Sequence, residues 1–425
     1  MTLIKTSFWT GLSVAFRAIS VFIISKVVAL YTGPVGLALI EQFQNFMQIV
    51  RTFSGGLIQQ GIVKYVAEYK DNAEVKSRIL SSAVVVCVMV SLGLSMFLFC
   101  FSTEISLLML KSVAYKKIMM IFSSSIILFS LNNLFFAVLN GELEIRKYAV
   151  CNIVNSILVL ITTLFLVVHY GLYGGLLALV FNQSIVFFFT LFLLMRCNWF
   201  KIRSFMLGID IESLSKILTY SLITIVGTLA VPLAQLLVRN EVASIFSWED
   251  AGYWQAITKL SNNFAILLDA TLGVYYLPKF SGIQSSRELK AEILHGYKFI
   301  IPIACIAASF VFIFRSQVVI ILYSRQFLPM LFLFKYQLIG DIARAGAWLT
   351  FYVMIAKKML KSLLVTEIFF FLFYPVATKI FIHYFGLIGT TMGFAISNLF
   401  YWMLMLLFVI KYVQEDGFSR VQFNQ

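Results

Sequence analysis

The segment EQFQNFMQIVRTFSGGLIQQ, residues 41–60, is long and apolar enough to cross a bilayer, yet one of its sides is polar. On a helix, this polar stripe contains Glu41, Asn45, Gln48, Thr52, Gly55 and Gln59, with Arg51 at its margin. A row of carboxylate and amide groups is costly in hydrocarbon unless it meets protein or water. The segment therefore predicts a helix that lines a wet, protein-walled cavity inside a membrane.

A second stripe of the same kind lies 214 residues later (255 minus 41), in YWQAITKLSNNFAILLDATLG, residues 253–273. Its positions are Gln255, Lys259, Asn262, Ile266, Asp269 and Gly273, and five of the six are polar or glycine. Small and amide residues also hold membrane helices together, and this alternative stays open for each position taken alone. Two stripes in the same register favour a shared cavity.

The composition places the whole chain in a membrane. Of its 425 residues, 61% are hydrophobic and 12% are charged, whereas about 25% are charged in a soluble protein. The first apolar run, residues 8–30, leads into Gly33 and Pro34 rather than a small-residue cleavage site, which predicts a first span and no cleaved signal. The five cysteines show neither metal-ligand nor paired spacing.

Apolar runs of about 20 residues predict twelve membrane spans. Their limits are 8–30, 36–62, 79–102, 118–139, 149–169, 174–195, 218–238, 251–277, 298–314, 331–356, 363–383 and 387–410. With the N terminus inside, the inner connections hold 20 Lys and Arg residues and the outer ones hold six, Arg239 among them. This asymmetry predicts cytoplasmic termini, and it explains the net charge of +14 by topology rather than by nucleic-acid binding.

The chain also repeats a short motif. His169-Tyr170-Gly171-Leu172 precedes span six, and His383-Tyr384-Phe385-Gly386-Leu387 precedes span twelve. A separation of six spans predicts parallel repeats, and hence two six-helix lobes around a central cavity. The predicted divisions are an N-terminal lobe at 1–196, a cytoplasmic linker at 197–216, a C-terminal lobe at 217–411 and a cytoplasmic tail at 412–425.

Ionisable residues at membrane depth are expensive, so each needs a partner or a purpose. The cations are Arg17, Lys26, Arg51, Lys259, Lys335, Arg344 and Lys379, and the anions are Glu41, Asp269, Asp341 and Glu367. Seven minus four leaves a surplus of three positive charges, which suits a phosphate or diphosphate cargo. The candidate substrate-binding residues are Arg17, Lys26, Asn45, Gln48, Arg51, Gln59, Gln255, Lys259, Asn262 and Arg344.

Several of these charges have structural alternatives. Lys26 lies near the outer end of span one and can snorkel to the interface. Asp341 and Arg344 are three residues apart on one helix and can neutralise each other. Glu41 and Asp269 can couple transport to H⁺ or Na⁺, or they can balance Arg51 and Lys259 on the same helices. The sequence presents no catalytic group, and its histidines are too far apart to suggest a metal site.

Blocks distributed along nearly the whole chain resemble the Wzx polysaccharide flippases. They are MTLIKTSFWT, GPVGLALIEQF, GIVKYVAEY, SWEDAGYWQAI, VYYLPKFS, FLFKYQLIGDIARAGAW and MIAKKMLKSLLVTE. The similarity is greatest to the branch that contains translocases of enterobacterial common antigen and of some O-antigens. It implies a member of the multidrug/oligosaccharidyl-lipid/polysaccharide (MOP) exporter superfamily, with twelve helices in two lobes, as in the MATE transporters, around a cationic cavity.

The resemblance implies a cargo of oligosaccharide repeat units linked through pyrophosphate to undecaprenol. The chain would move them to the periplasmic leaflet of a Gram-negative inner membrane, with a glycan polymerase and a chain-length regulator as further partners. An ion-coupled MATE-type drug exporter and a peptidoglycan-precursor flippase share this architecture and remain alternatives. A glycan polymerase, which is an enzyme, commonly has a large outer loop, and the longest outer connections predicted here are short.

Overall fold

The computed structural model describes residues 3–70 and 72–197, single positions between 200 and 217, and residues 221–414. Within this part of the chain every regular element is a helix, which confirms the all-α prediction. Helices of the first half are α1 (Leu3–Ser54), α2 (Gln59–Glu68), α3 (Ala73–Cys100), α4 (Ser102–Leu110), α5 (Lys116–Gly141) and α6 (Ile145–Met195). Those of the second half are α7 (Ser221–Ile245), α8 (Trp248–Gly282), α9 (Ser286–Ile313), α10 (Arg315–Leu322), α11 (Phe334–Ala356), α12 (Leu360–Phe385) and α13 (Gly389–Gln414).

The described residues contain seven helical stretches that are long and apolar enough to cross a membrane. Three of these stretches, Phe16–Ser54, Ile145–Met195 and Leu360–Gln414, each cover two of the predicted spans. The chain is therefore a membrane protein with several spanning helices, and the number twelve stays a prediction. The seventh and eighth predicted spans correspond to α7 and α8, which are both helical.

Glycines divide the long helical stretches. Gly33 (φ 64°), Gly171 (φ 54°) and Gly386 (φ 66°) adopt left-handed backbone conformations, which residues with a side chain rarely adopt. Pro34 follows the first break and has no backbone N–H to donate. Gly171 and Gly386 belong to the repeated His-Tyr motif, so the two copies of the motif break a helix in the same way.

The described chain forms two compact units, Met1–Leu233 and Ala234–Gln425, called here the first and second units. In the first unit α1 packs along α6, and α5 packs against both α3 and α6. Its core includes Ile62, Val138 and Leu194. The predicted linker at 197–216 lies largely outside the described residues, as does the tail beyond residue 414, and the predicted lobe limits remain predictions.

In the second unit α11 is the central helix. It packs against α8, α9 and α13, while α12 packs against α13. Its core includes Phe280, Val353 and Met405, all without exposed surface. In lipid, helices associate through close packing rather than through exclusion of water, so small residues are needed where backbones approach.

Gly393 marks one such close approach between α12 and α13. A β-carbon placed there would lie 2.6 Å from the Cα of Thr378 and 2.9 Å from its backbone nitrogen. Because backbone atoms cannot rotate away, a methyl group at this position would force the two helices apart. Gly93 on α3 is a matched contrast, since a β-carbon there would meet no atom within 4 Å.

We therefore expect Gly393→Ala to destabilise the protein by about 1–3 kcal/mol, the usual cost of overpacking. Gly93→Ala should be neutral or slightly stabilising, because alanine is the better helix former. Thermal unfolding of both variants in detergent measures the difference. Equal unfolding midpoints would contradict this account of the α12–α13 contact.

Candidate functional site

The predicted site residues lie in both units. In the first unit Glu41 and Asn45 are buried, Lys26 and Gln59 are half-buried, and Arg17 and Gln48 are exposed. In the second unit Gln255 is buried, Lys259 and Asn262 are half-buried, and Asp269 is exposed.

Arg51 lies in the last turn of α1 and is half-buried. Its guanidinium carbon stands 4.0 Å from the centre of the Phe129 ring on α5. A cation over an aromatic face is stabilised by the ring's negative face, by about 0.5–2 kcal/mol. This contact orients the guanidinium without neutralising its charge, so the group keeps its ability to attract an anion.

The first stripe is not one continuous helix, and the sequence prediction was wrong on this point. Helix α1 ends at Ser54, a 3₁₀ turn covers Gly56–Ile58, and Gln59 opens α2. The break occurs where α5 crosses closely: the Ser130 hydroxyl donates to the Ser54 carbonyl at 2.5 Å, and a β-carbon on Gly55 would lie 2.6 Å from that hydroxyl. Gln59 therefore belongs to a separate helix from the stripe positions on α1, and Gly55 lies in the break between the two helices.

In the second unit Arg344 is the centre of a hydrogen-bonded cluster. Its Nη2 donates to Asp341 Oδ1 and to Ser261 Oγ, both at 2.8 Å, and its Nη1 donates to Asn262 Oδ1 at 2.9 Å. Ser261 donates to Asp341 Oδ1 at 2.5 Å and accepts from Gln337 Nε2 at 3.0 Å. We call these five residues the Arg344 cluster. It brings together Arg344 and Asn262, two of the predicted binding residues, and joins α8 to α11.

Asp269, a candidate for ion coupling, lies further along α8. Its carboxylate accepts a hydrogen bond from the Tyr352 hydroxyl at 2.6 Å, and the same hydroxyl lies 3.0 Å from the Asp269 carbonyl. Tyr352 is on α11, so a second polar contact joins the same pair of helices. Glu41 differs from Asp269 because it is buried, with only 7% of its surface exposed.

The sequence predicts Arg239 in an outer connection, whereas the structure places it in a helix. Helix α7 continues to Ile245, and Arg239 is fully buried in it. Its Nη2 donates to Gln255 Oε1 at 2.5 Å, and its guanidinium carbon lies 5.8 Å from the Trp254 ring. Gln255, the first position of the second stripe, is thus hydrogen-bonded to Arg239 of the neighbouring helix α7.

A local signal for the longer α7 exists in the sequence. Val242 and Ile245 continue the helical apolar pattern, and a capping pair then opens α8. There Ser247 Oγ accepts from the Asp250 backbone N–H at 3.0 Å and donates to its carboxylate at 2.6 Å. What the pattern could not reveal is that Arg239 faces Gln255, because that contact depends on how α7 packs on α8.

The predicted site residues of both units can bind a ligand through hydrogen bonds and charge. Guanidinium, ammonium and amide groups can contact phosphates and sugar hydroxyls. Among the residues that the structure describes, no group of three or more His, Cys, Asp or Glu side chains could hold a metal ion.

The chain was compared with protein families and curated proteins. Residues 3–284 match the family described as polysaccharide biosynthesis protein. The chain is 25% identical over 407 residues to the lipid III flippase of Escherichia coli (strain K12), an alignment that covers 95% of this chain and 97% of the relative. The lipid III flippase of Shigella flexneri matches to the same extent.

Solved structures with a similar fold come from the MOP superfamily. An inward-facing multidrug resistance MATE family transporter matches with a TM-score of 0.79 at 14% identity, covering 94% of this chain and 95% of its own. An outward-facing structure of such a transporter matches with a TM-score of 0.68 at 15% identity, covering 97% and 96%. The predicted MATE-like fold is therefore confirmed.

The Arg344 cluster generates a test by a double-mutant cycle. Arg344→Gln leaves the Asp341 carboxylate without its cation, so we expect a loss of up to about 3 kcal/mol in the free energy of unfolding. In the Asp341→Asn/Arg344→Gln double variant, the two losses should fall short of additivity by about 0.5–3 kcal/mol. Unfolding in detergent measures both quantities, with Arg325→Gln as the exposed control. Additive losses would show that the two groups do not interact.

Proposed function

The chain belongs to the polysaccharide biosynthesis protein family, and from this premise we propose that it is a flippase for lipid-linked oligosaccharides rather than an enzyme. The observation that carries the proposal is the match to a lipid III flippase over 95% of this chain. The second support is the presence of guanidinium and amide side chains on helices of a membrane protein, where such groups are retained for a purpose.

The proposed cargo is an oligosaccharide repeat unit of O-antigen or a related surface glycan, joined through pyrophosphate to undecaprenol. A glycan with two phosphates cannot cross about 30 Å of hydrocarbon unaided, because every unsatisfied polar group costs several kilocalories per mole. A transporter lowers this barrier by supplying hydrogen bonds and positive charge in place of water. Alternating access then exposes the head group first to the cytoplasmic and next to the periplasmic side, while most of the prenyl chain remains in lipid.

In this proposal the cations contact the diphosphate. Arg51 is the strongest candidate because its guanidinium is oriented by Phe129 yet carries a full charge. Arg17 and Lys259 are the next candidates, and Lys26 and Arg344 complete the set of basic residues. The amides take the place of water around sugar hydroxyls; they are Asn45, Gln48, Gln59, Gln255 and Asn262.

The proposed location is the inner membrane of a Gram-negative bacterium, with both termini in the cytoplasm as the distribution of Lys and Arg indicates. The proposed partners are the membrane lipids, the glycan polymerase and the chain-length regulator that act on the same repeat units. We also propose that an H⁺ or Na⁺ gradient drives transport, through Glu41 or Asp269.

A second candidate function is the export of drugs, since the solved structures of similar fold include multidrug transporters. The cations of this chain favour an anionic cargo instead. The same cations could also bind an anionic peptidoglycan precursor. A flippase for that precursor differs from the main proposal only in the molecule that it carries.

Deletion of the gene in its own host should make lipid-linked repeat units accumulate on the cytoplasmic side of the inner membrane. Mass spectrometry of extracted lipids and display of the surface glycan measure this outcome. Intact glycan display after deletion would reject the proposed cargo. Arrested cell-wall synthesis without a change in surface glycan would favour the peptidoglycan precursor, and lost drug resistance alone would favour the exporter.

In the complemented strain, Arg51→Ala should abolish glycan export while membrane insertion stays intact, because the variant lacks the proposed phosphate contact. Arg325→Ala is the control, since Arg325 is exposed in a 3₁₀ segment outside the proposed set. Surface glycan and the level of inserted protein are measured for both. Normal display by Arg51→Ala would reject the role of Arg51.

Ion coupling is tested in vesicles with imposed gradients. Glu41→Gln should reduce the stimulation of the transport rate by the driving gradient at least tenfold. A buried amide can neither take up a proton nor contribute charge to a Na⁺ site. Asp269→Asn is measured in the same assay. Asp269 is exposed, and the amide oxygen of asparagine can still accept the hydrogen bond from Tyr352. Unchanged stimulation in both variants would show that neither carboxylate couples transport.

A further inference from the structure

A cavity of about 280 Å³ lies inside the second unit, between α8, α9 and α11. Part of its wall is polar and is formed by Ser261, Asp341 and Arg344 of the Arg344 cluster. Apart from Thr271, the remainder is apolar and includes Leu268 and Trp348. A charged group and a long apolar wall within one cavity are suited to a ligand that has a polar head and a hydrocarbon chain.

Three of the five α9 residues that line the cavity are alanines, and their small side chains leave room for it. Ala304, Ala307 and Ala308 follow each other at helical spacing and all line the cavity. The volume is about twice that of an engineered 150 Å³ cavity that binds benzene, so it can hold roughly two five-carbon isoprene units. A large side chain at any of the three alanines would occupy this volume.

The apolar wall continues onto exposed apolar surface. Ile303 on α9 lines the cavity and is 56% exposed, and Phe264 on α8 lines it and is 41% exposed. Helix α9 is one of the stretches able to cross a membrane. Exposed apolar side chains on such a helix are compatible with contact to hydrocarbon, and the cavity wall reaches this surface.

Arg344 supplies the charge that selects the head group. Its side chain is 15% exposed, and a guanidinium has five N–H donors in a planar fork that matches phosphate oxygens. The contacts to Asp341, Ser261 and Asn262 occupy only part of this donor capacity. The Asp341 carboxylate lies beside Arg344 and is 23% exposed, so its negative charge repels an anionic head group that approaches Arg344.

We propose that this cavity is a binding site for a prenyl diphosphate, with Arg344 contacting the phosphates and the first isoprene units lying against the alanine face of α9. The inference rests on the proposed function and extends it: the lipid carrier, and not only its glycan, has a dedicated place within the second unit. The negative charge of Asp341 keeps this binding weak, so that the carrier can leave after transport.

The test is photo-crosslinking of the purified full-length chain in nanodiscs of phosphatidylcholine. The probe is farnesyl diphosphate with a diazirine on its prenyl chain, and adducts are mapped by mass spectrometry. We expect adducts on cavity-facing positions of α8 and α9, and competition by unlabelled farnesyl diphosphate but not by inorganic diphosphate. Adducts elsewhere only, or equal competition by added phosphatidylcholine, would overturn the proposal.

Variants of α9 distinguish binding inside the cavity from binding to the outer surface of the same helix. Ala307→Trp and Ala304→Phe fill the cavity and should each reduce labelling at least tenfold. Ile306→Trp is the matched control, since Ile306 is 70% exposed and is not part of the cavity wall, and it should label like the parent. Asp341→Asn should increase labelling several-fold. Unfolding midpoints identify any variant that fails to fold, and equal labelling of the folded filling and control variants would reject the site.

Failure of this inference is distinguishable from failure of the proposed function. If the parent chain restores glycan export but shows no labelling of α8 or α9, the prenyl site is rejected and the flippase proposal stands. If the cavity is labelled but the parent chain does not restore export, the proposed function is rejected while the site remains.

Discussion

Polar side chains on a membrane-spanning helix must find partners, because the surrounding hydrocarbon offers none. The second unit meets this constraint through α8. Its stripe residue Gln255 accepts from Arg239 on α7, and its Asn262 and Asp269 accept from Arg344 and Tyr352 on α11. The groups that resemble a binding surface in the sequence therefore also determine how three helices pack. A binding role for any of them must work within these contacts.

The positive charge is affected by the same pairing. Arg344 is paired with Asp341, and Lys379 is paired with Glu241 at 3.3 Å. Arg239, which the sequence predicts in an outer connection, is a buried cation of α7, and Glu241 is an anion on the same helix. One further cation and one further anion leave the predicted surplus of three positive charges unchanged. In the proposed function Arg344 therefore contributes less directly than Arg51 to binding of an anionic cargo.

Much of the fold could be predicted from the sequence because it depends on composition and local conformation. Long apolar runs fix the helical membrane class, and the repeated His-Tyr motif marks Gly171 and Gly386, where helices break. Three features could not be predicted, since they arise from packing. Helix α1 ends at Ser54 because α5 crosses it at Ser130, and Arg239 is buried because α7 packs against Gln255. In the sequence the alanines of α9 are ordinary apolar residues. They line a cavity because of where α8 and α11 pack around α9.

The proposed transport of a lipid-linked anionic glycan can be measured with the purified protein in liposomes. The liposomes contain a fluorescent prenyl-diphosphate oligosaccharide, and a membrane-impermeant quencher reports the fraction in the outer leaflet. We expect vesicles with the protein to exchange the probe between leaflets far faster than protein-free vesicles, and Arg51→Ala to abolish the difference. Equal rates with and without the protein, under imposed H⁺ and Na⁺ gradients alike, would show that the chain is not a flippase for this cargo.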